Sequence, residues 1–221
     1  MIGSMDKHQV LARMGIPVWQ FGSTAPKAPI TGEAAWAQLQ QEVSQCKKCA
    51  LCQSRTQTVF GTGARHARLV LIGEAPGANE DRQGEPFVGR AGQLLNRMLQ
   101  SIGFAREEVY IGNVLKCRPP YNRDPEAEEV AACSSYLDRQ LALLQPDLIV
   151  ALGRVAARYL LGLTVPLWQM RGRRYTYSEL ELPLLITYHP AYLLRNPRDK
   201  GKAYQDLLAI KHFLEKIEKA S

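Results

Sequence analysis

The chain has 221 residues, of which 46% are apolar and 22% charged. That length and balance suit one ordinary folded domain with a short appendage, and exclude a mostly disordered, collagen-like or coiled-coil chain. No apolar run approaches the ~18 residues of a membrane span, no secretory signal precedes the core, and the formal net charge of +7 favours a polyanionic partner.

Residues 1–32 form the expected appendage. Gly3-Ser4 ahead of Met5 has the form of a vector remnant. Leu11-Ala-Arg-Met-Gly-Ile-Pro-Val-Trp19 is a short apolar cluster in which Leu11, Met14, Ile16 and Trp19 can anchor in a partner's groove. Phe21–Gly32, rich in Gly, Ser, Thr, Pro, Ala and Lys, is a flexible tether.

Residues 33–221 make the main domain, opening with a lead-in to about residue 65. Glu33–Gln45 is a predicted helix with Ala35, Leu39 and Val43 on one face. Gly61-Thr-Gly63 reads as a turn. From Arg68 onward, strands and helices alternate. Arg68–Gly73, Val109–Leu115, Asp147–Leu152 and Leu184–Tyr188 are predicted strands. Gly89–Ser101, Asp124–Leu144 (Asp N-cap, Pro at the first helical position), Arg154–Leu161 and Asp199–Lys219 are predicted helices. This predicts a single doubly wound α/β domain, with a mainly parallel four-stranded central sheet flanked by helices. Ligands in such sheets sit beyond the carboxyl ends of the strands.

After the first strand comes Gly73-Glu-Ala-Pro-Gly77-Ala-Asn-Glu80-Asp81, then Gly84-Glu-Pro-Phe87-Val-Gly89. It is neither a dinucleotide fingerprint nor a P-loop. It reads as a polar loop whose tight backbone projects Glu74, Glu80, Asp81 and Phe87. After the second strand, Asn113 offers a donor and an acceptor together, which matches one edge of a nucleobase. After the fourth, His189 can hold or donate a proton near neutral pH. The apolar tip Tyr192-Leu-Leu194 can wedge between bases or pack on the domain. Arg171–Arg174 and Arg195–Lys202 supply cations for phosphates.

Five cysteines without a secretion signal argue for a reducing cytoplasm and against a disulfide framework. Cys46 and Cys49, then Cys117 and Cys133, make two thiol groups on separate elements, with Cys52 extending the first. Zinc and an iron–sulfur cluster both suit four thiolates.

GEAPGANEDRQGEPFVGRAGQLL (residues 73–95), NVLKCRPPYNRDP (113–125) and HPAYLLRNP (189–197), with CxxC upstream and a fourth cysteine in the helix that follows, resemble the family 4 uracil-DNA glycosylases. These are the iron–sulfur members of that superfamily. The resemblance runs from about Cys46 to the C-terminus. It implies removal of uracil from DNA at the start of base excision repair, and a structural [4Fe-4S] cluster on Cys46, Cys49, Cys117 and Cys133, with Cys52 spare. It implies that Phe87 stacks on a flipped uracil, Asn113 reads its O4 and N3 edge, and His189 donates to O2. Glu74 and the backbone around Gly77 would hold the attacking water, with Glu80 and Asp81 assisting. Gly73, Ala75, Pro76 and Arg195 complete the implied substrate contacts.

A second resemblance covers only Leu11–Trp19, which is similar to the start of the bacterial DNA polymerase III psi subunit. It implies docking of residues 8–21 on the clamp-loader ATPase subunit and chi, and so an alternative: a clamp-loader adaptor built on a glycosylase fold, with or without the activity.

Overall fold

The computed structural model describes residues 32–219. The appendage expected at residues 1–32 lies outside them except for Gly32, so the psi-like segment does too. Among the described residues no helix is long and apolar enough to cross a membrane.

Helix α1 (Glu33–Ser44) buries Trp36, Leu39 and Val43. Leu39 and Val43 hold the expected stripe, and its first position shifts by one. Ala35 is exposed, and the larger Trp36 takes the core place, its ring meeting Phe60 and Tyr110 edge-on at 5.2 and 5.6 Å. A four-residue helix α2 (Leu51–Ser54) follows Cys49.

The sheet has six strands, not four. They are β1 (Thr62–Gly63), β2 (Leu69–Gly73), β3 (Tyr110–Asn113), β4 (Leu148–Leu152), β5 (Tyr175–Tyr177) and β6 (Leu182–Thr187), ordered β1-β3-β2-β4-β6-β5. The middle four are parallel, as the alternation predicts. The two additions are antiparallel edges. β1 is two residues long, and β5 lies just after a run of arginines, so neither carries an apolar run. Every residue of β2, β3 and β4 is buried, which is why those strands read as unbroken apolar segments.

Side chains alternate between two cores. On one face Val70, Ile72, Ile149 and Ala151 pack with Trp36 and Leu39 of α1, and with Leu137 and Leu141 of α5 (Ala127–Leu144). On the other, Leu69, Leu71, Leu148 and Val150 pack with Leu95 and Leu99 of α4 (Arg90–Gln100), and with Leu207 and Ile210 of α9 (Lys200–Glu218). Each fully buried Leu or Ile contributes roughly 1.5–3 kcal/mol of burial free energy.

Several boundaries differ from expectation. The 109–115 strand stops at Asn113, where the chain turns and Lys116 Nζ donates back to the Asn113 carbonyl at 2.8 Å. The 124–144 helix starts at Ala127, with Glu126 rather than Asp124 at its N-cap. Glu129 decides that start, because its carboxylate accepts the Glu126 N–H and the Arg123 guanidinium. The polar loop after β2 contains α3 (Ala78–Gln83). The remaining helices are α6 (Gly153–Leu161), α7 (Leu167–Met170) and α8 (Pro190–Arg195).

Two expected DNA contacts are used up by the fold. The Tyr192-Leu-Leu194 tip is part of α8: Leu193 is core, and Tyr192 stacks on Tyr188 at 5.1 Å and donates to Asp199. In the basic run, Arg171 pairs with buried Asp206 and Arg174 lies over the Phe213 ring.

Candidate active site

The carboxyl ends of β2, β3, β4 and β6 deliver Glu74, Asn113, Arg154 and His189 to one cavity of about 560 Å³. Phe87 reaches it from the loop between α3 and α4. Its ring lies 5.5 Å from that of His189, tilted by 34°. Gly73 sits beneath this floor. A β-carbon there would stand 2.4 Å from Asn113 Oδ1 and 2.8 Å from the Phe87 ring, so only glycine lets the two meet. Gly153, at φ +90°, likewise leaves room for His189, whose Cβ lies 2.8 Å from where a side chain would start.

Asn113 is buried, and its Oδ1 has no hydrogen-bond partner among the described residues. A buried acceptor left unpaired costs about 1–3 kcal/mol, so it calls for a ligand donor. His189 caps α8, its Nδ1 accepting the Ala191 N–H at 3.1 Å. Burial, with Arg195 nearby, lowers its pKa to about 4. The ring is therefore neutral at physiological pH, with its proton on Nε2. Burial, then the charge of Asp124, raises the Glu74 carboxyl to about 7, while Arg154 and Arg158 pull it back.

The other acids of this loop serve the backbone. Glu80 lines the cavity, but its Oε1 accepts the Val88 and Gly89 N–H groups at 3.1 and 3.2 Å. Asp81 is buried outside the cavity lining, and both its oxygens accept the Thr56 N–H, which removes it from the expected substrate contacts. Gly73 also falls outside the lining and acts as the spacer below it. Ala75, Pro76, Gly77 and Arg195 do line the cavity. Arg154 and the wall of Pro119, Asn122, Arg123 and Asp124 were missed. Arg154 follows a strand end directly, and the rule applied to the other three strands would have found it. Arg106 was missed as well. It braces the Phe87 loop by donating to the Pro86 carbonyl at 2.6 Å and pairing with Glu85 at 3.1 Å.

The sequence model of the Uracil DNA glycosylase superfamily matches residues 60–209. The type-4 uracil-DNA glycosylase of Sulfurisphaera tokodaii is 45% identical over 180 residues, covering 78% of this chain and 82% of that protein. That of Archaeoglobus fulgidus is 46% identical over 176 residues (77% and 88%), and that of Thermotoga maritima 42% over 179 (80% and 93%). The chain belongs to the type-4 uracil-DNA glycosylases.

In this type-4 chain the cysteines gather beside the lead-in. Cys117 and Cys133 are buried, Cys46, Cys49 and Cys52 half-buried, and all five are free thiols. Cys133 feels the charges of Cys46 and Cys49, and Cys117 those of Cys133 and Cys49, so the four sulfurs share one region. Burial pushes the Cys117 thiol up to about 11 and raises Cys49 and Cys133. Cationic and amide donors are already in place: Arg55 donates to Cys117 Sγ at 3.0 Å, and the Lys116 N–H to Cys133 Sγ at 3.3 Å. Among the described residues no three His, Cys, Asp or Glu side chains close on a single-ion site.

Proposed function

We propose that the chain hydrolyses the N-glycosidic bond of deoxyuridine in DNA and so begins base excision repair. The observation that carries this reading is the unpaired, buried Oδ1 of Asn113 beside the Phe87 ring. Uracil offers N3–H to such an acceptor and O4 to the amide N–H beside it. Cytosine offers a bare N3 and an amino group, so both contacts reverse. The base leaves the helical stack at a cost of a few kcal/mol, which stacking on Phe87 and these hydrogen bonds offset.

Bond cleavage leaves an oxocarbenium-like sugar and a uracil anion. His189 Nε2–H donates to O2 as negative charge grows there, and the bound base and DNA exclude water from that contact. Glu74, with the backbone around Gly77, holds the water that attacks C1′, and its carboxylate form accepts the proton and steadies the cation. Arg154 and Arg195 hold flanking phosphates.

The cysteine region fits an iron–sulfur cluster. Four thiols in one region, two of them already taking N–H donors, suit the thiolate set of a [4Fe-4S] group. Cys46, Cys49, Cys117 and Cys133 would hold it, with Cys52 spare, and the group would supply positive charge that keeps four thiolates stable, two of them buried. Its place is structural. It would tie the lead-in to the segment after Asn113, where Val59 N–H already donates to the Lys116 carbonyl at 2.8 Å.

The test is single-turnover uracil release from a labelled oligonucleotide. The wild-type chain should cleave, and Asn113→Ala should lose at least a hundred-fold in rate. Equal rates for the two chains, or no release by folded wild-type protein, would refute the reading.

A further inference from the structure

Among the described residues five non-glycine positions have positive φ: Phe87, Tyr121, Asn122, Gln145 and Glu181. Two are aromatic: Phe87 lines the cavity, and Tyr121 directly precedes Asn122 of its wall. Phe87, at φ 54°, is its buried floor. Tyr121, at φ 55° and ψ 18°, lies in the chain between Pro119 and Asn122 of the wall and outside the lining itself. Its side chain is 97% exposed.

A bulky side chain in the left-handed region is strained. Two consecutive residues of positive φ suit glycine or asparagine, and Asn122 meets that need while Tyr121 does not. No hydrogen bond, ion pair or ring contact to a described residue offsets the strain at Tyr121. The segment beneath it is nonetheless firmly built. The Pro119 and Pro120 carbonyls accept the Asn122 and Arg123 N–H groups, each at 3.1 Å. Arg118 Nε donates to Asn122 Oδ1 at 2.8 Å, and Arg123 is pinned by Glu126 and Glu129. So a rigid turn presents an apolar ring to solvent at the mouth of a base-sized cavity. The other strongly exposed aromatic, Trp168, sits in α7, none of whose residues lines that cavity.

We propose that Tyr121 is a stacking platform for a DNA base adjoining the flipped uridine. The proposal rests on the glycosylase reading and adds a second aromatic contact to it. When one nucleotide leaves the stack, its neighbours each lose a partner face. A ring carried on a backbone already fixed in place replaces that face at the cost of its own side-chain rotation alone. Stacking of this kind accepts any base, so it adds affinity without sequence preference. It also takes over the task that the sequence suggested for the 192–194 tip, whose Leu193 is core and whose Tyr192 is held by Tyr188 and Asp199.

The experiment compares wild type, Tyr121→Ala, Tyr121→Gly and Tyr121→Trp. Oligonucleotides carry 2-aminopurine on the 5′ side, on the 3′ side or opposite a tetrahydrofuran abasic analogue, so binding is read without catalysis. Tyr121→Ala and Tyr121→Gly should bind at least five-fold more weakly and lose the fluorescence change at one position, which identifies the base. Tyr121→Trp should keep both. In uracil release the loss should fall on KM more than on kcat. Tyr121→Gly should melt no lower than wild type, because it relieves the strained φ. Wild-type affinity and an unchanged fluorescence response in Tyr121→Ala would overturn the proposal. If wild type releases no uracil but its DNA binding still depends on Tyr121, the platform stands and the glycosylase reading falls.

Discussion

The backbone N–H of Ala191 donates to Nδ1 of His189 at 3.1 Å. That bond fixes the tautomer, because Nδ1 must be unprotonated to accept it, and the ring proton sits on Nε2. A neutral imidazole that donates from Nε2 suits a developing anion and needs no proton from solvent. Truncation to His189→Ala should lower the single-turnover rate by about 10²–10³-fold, the usual effect of losing one such donor. It should leave DNA binding nearly intact. A fall of less than ten-fold would remove His189 from the chemical step.

Glu74 and His189 should give opposing pH effects on stability. The folded Glu74 carboxyl, at about 7 against an ordinary 4.5, binds more protons than the unfolded chain between those values, so it lowers stability as pH rises through that window. The folded His189, at about 4 against 6.5, binds fewer protons than the unfolded chain, so it raises stability as pH rises between those values. Over the shared range the slopes cancel. Melting of wild type should vary little there, Glu74→Gln should become more stable as pH rises, and His189→Asn less stable. The rate of uracil release should climb to a plateau near pH 7–8 as Glu74 ionises, and Glu74→Gln should lose that rise along with about 10²-fold in rate.

Legibility followed apolar patterning. β2, β4 and α9 were readable because each buries a run or stripe whose period matches its structure. β1 and α3 were not, since a Thr-Gly pair and an alanine followed by five polar residues have no such period. The strand-end rule picks out Glu74, Asn113 and His189 from the sequence alone. What it could not find was the use of each side chain. Asp81 and Glu80 look alike in sequence as acids of one loop, yet Asp81 turns inward to Thr56 while Glu80 faces the cavity wall. Arg171 looks like a phosphate cation until Asp206, 35 residues later, claims it. Such assignments rest on long-range pairing that local sequence does not carry.

The cysteines make a chemical prediction. Anaerobically purified wild type should carry iron and inorganic sulfide with visible absorbance. Cys117→Ser and Cys133→Ser should lose most of the iron and melt lower, because a metal group bound only by the folded chain contributes to its stability. Cys52→Ser should keep the full iron content. Loss of iron in Cys52→Ser with retention in Cys49→Ser would reassign the fourth ligand.

Gly73→Ala tests the floor of the cavity. The added methyl meets Asn113 Oδ1 at 2.4 Å and Phe87 at 2.8 Å, so one of them must move. Overpacking of this kind costs about 1–3 kcal/mol. The functional loss should be about 10²-fold in rate, near the top of that range, with weaker inhibition by free uracil. Unchanged uracil inhibition would mean that the base does not sit where Phe87 and Asn113 meet.

Behind His189, Arg171 ties three elements together. Its Nε and Nη2 donate to the two oxygens of Asp206 at 2.7 and 2.8 Å, Nη2 also to the Lys202 carbonyl at 2.7 Å, and Nη1 to the Tyr188 hydroxyl at 3.1 Å. Thr187, two residues before His189, donates to the same carboxylate at 2.8 Å. Arg171→Met leaves Asp206 buried with only the Thr187 hydroxyl, and should cost about 3–5 kcal/mol by denaturant unfolding. Arg171→Lys should recover only part of this, since an ammonium cannot reproduce the planar fork. Adding Asp206→Leu to Arg171→Met should restore stability, because the uncompensated charge is gone. If the double variant is instead less stable than Arg171→Met, the network's value lies in its hydrogen bonds to Tyr188 and Thr187 rather than in pairing a buried charge.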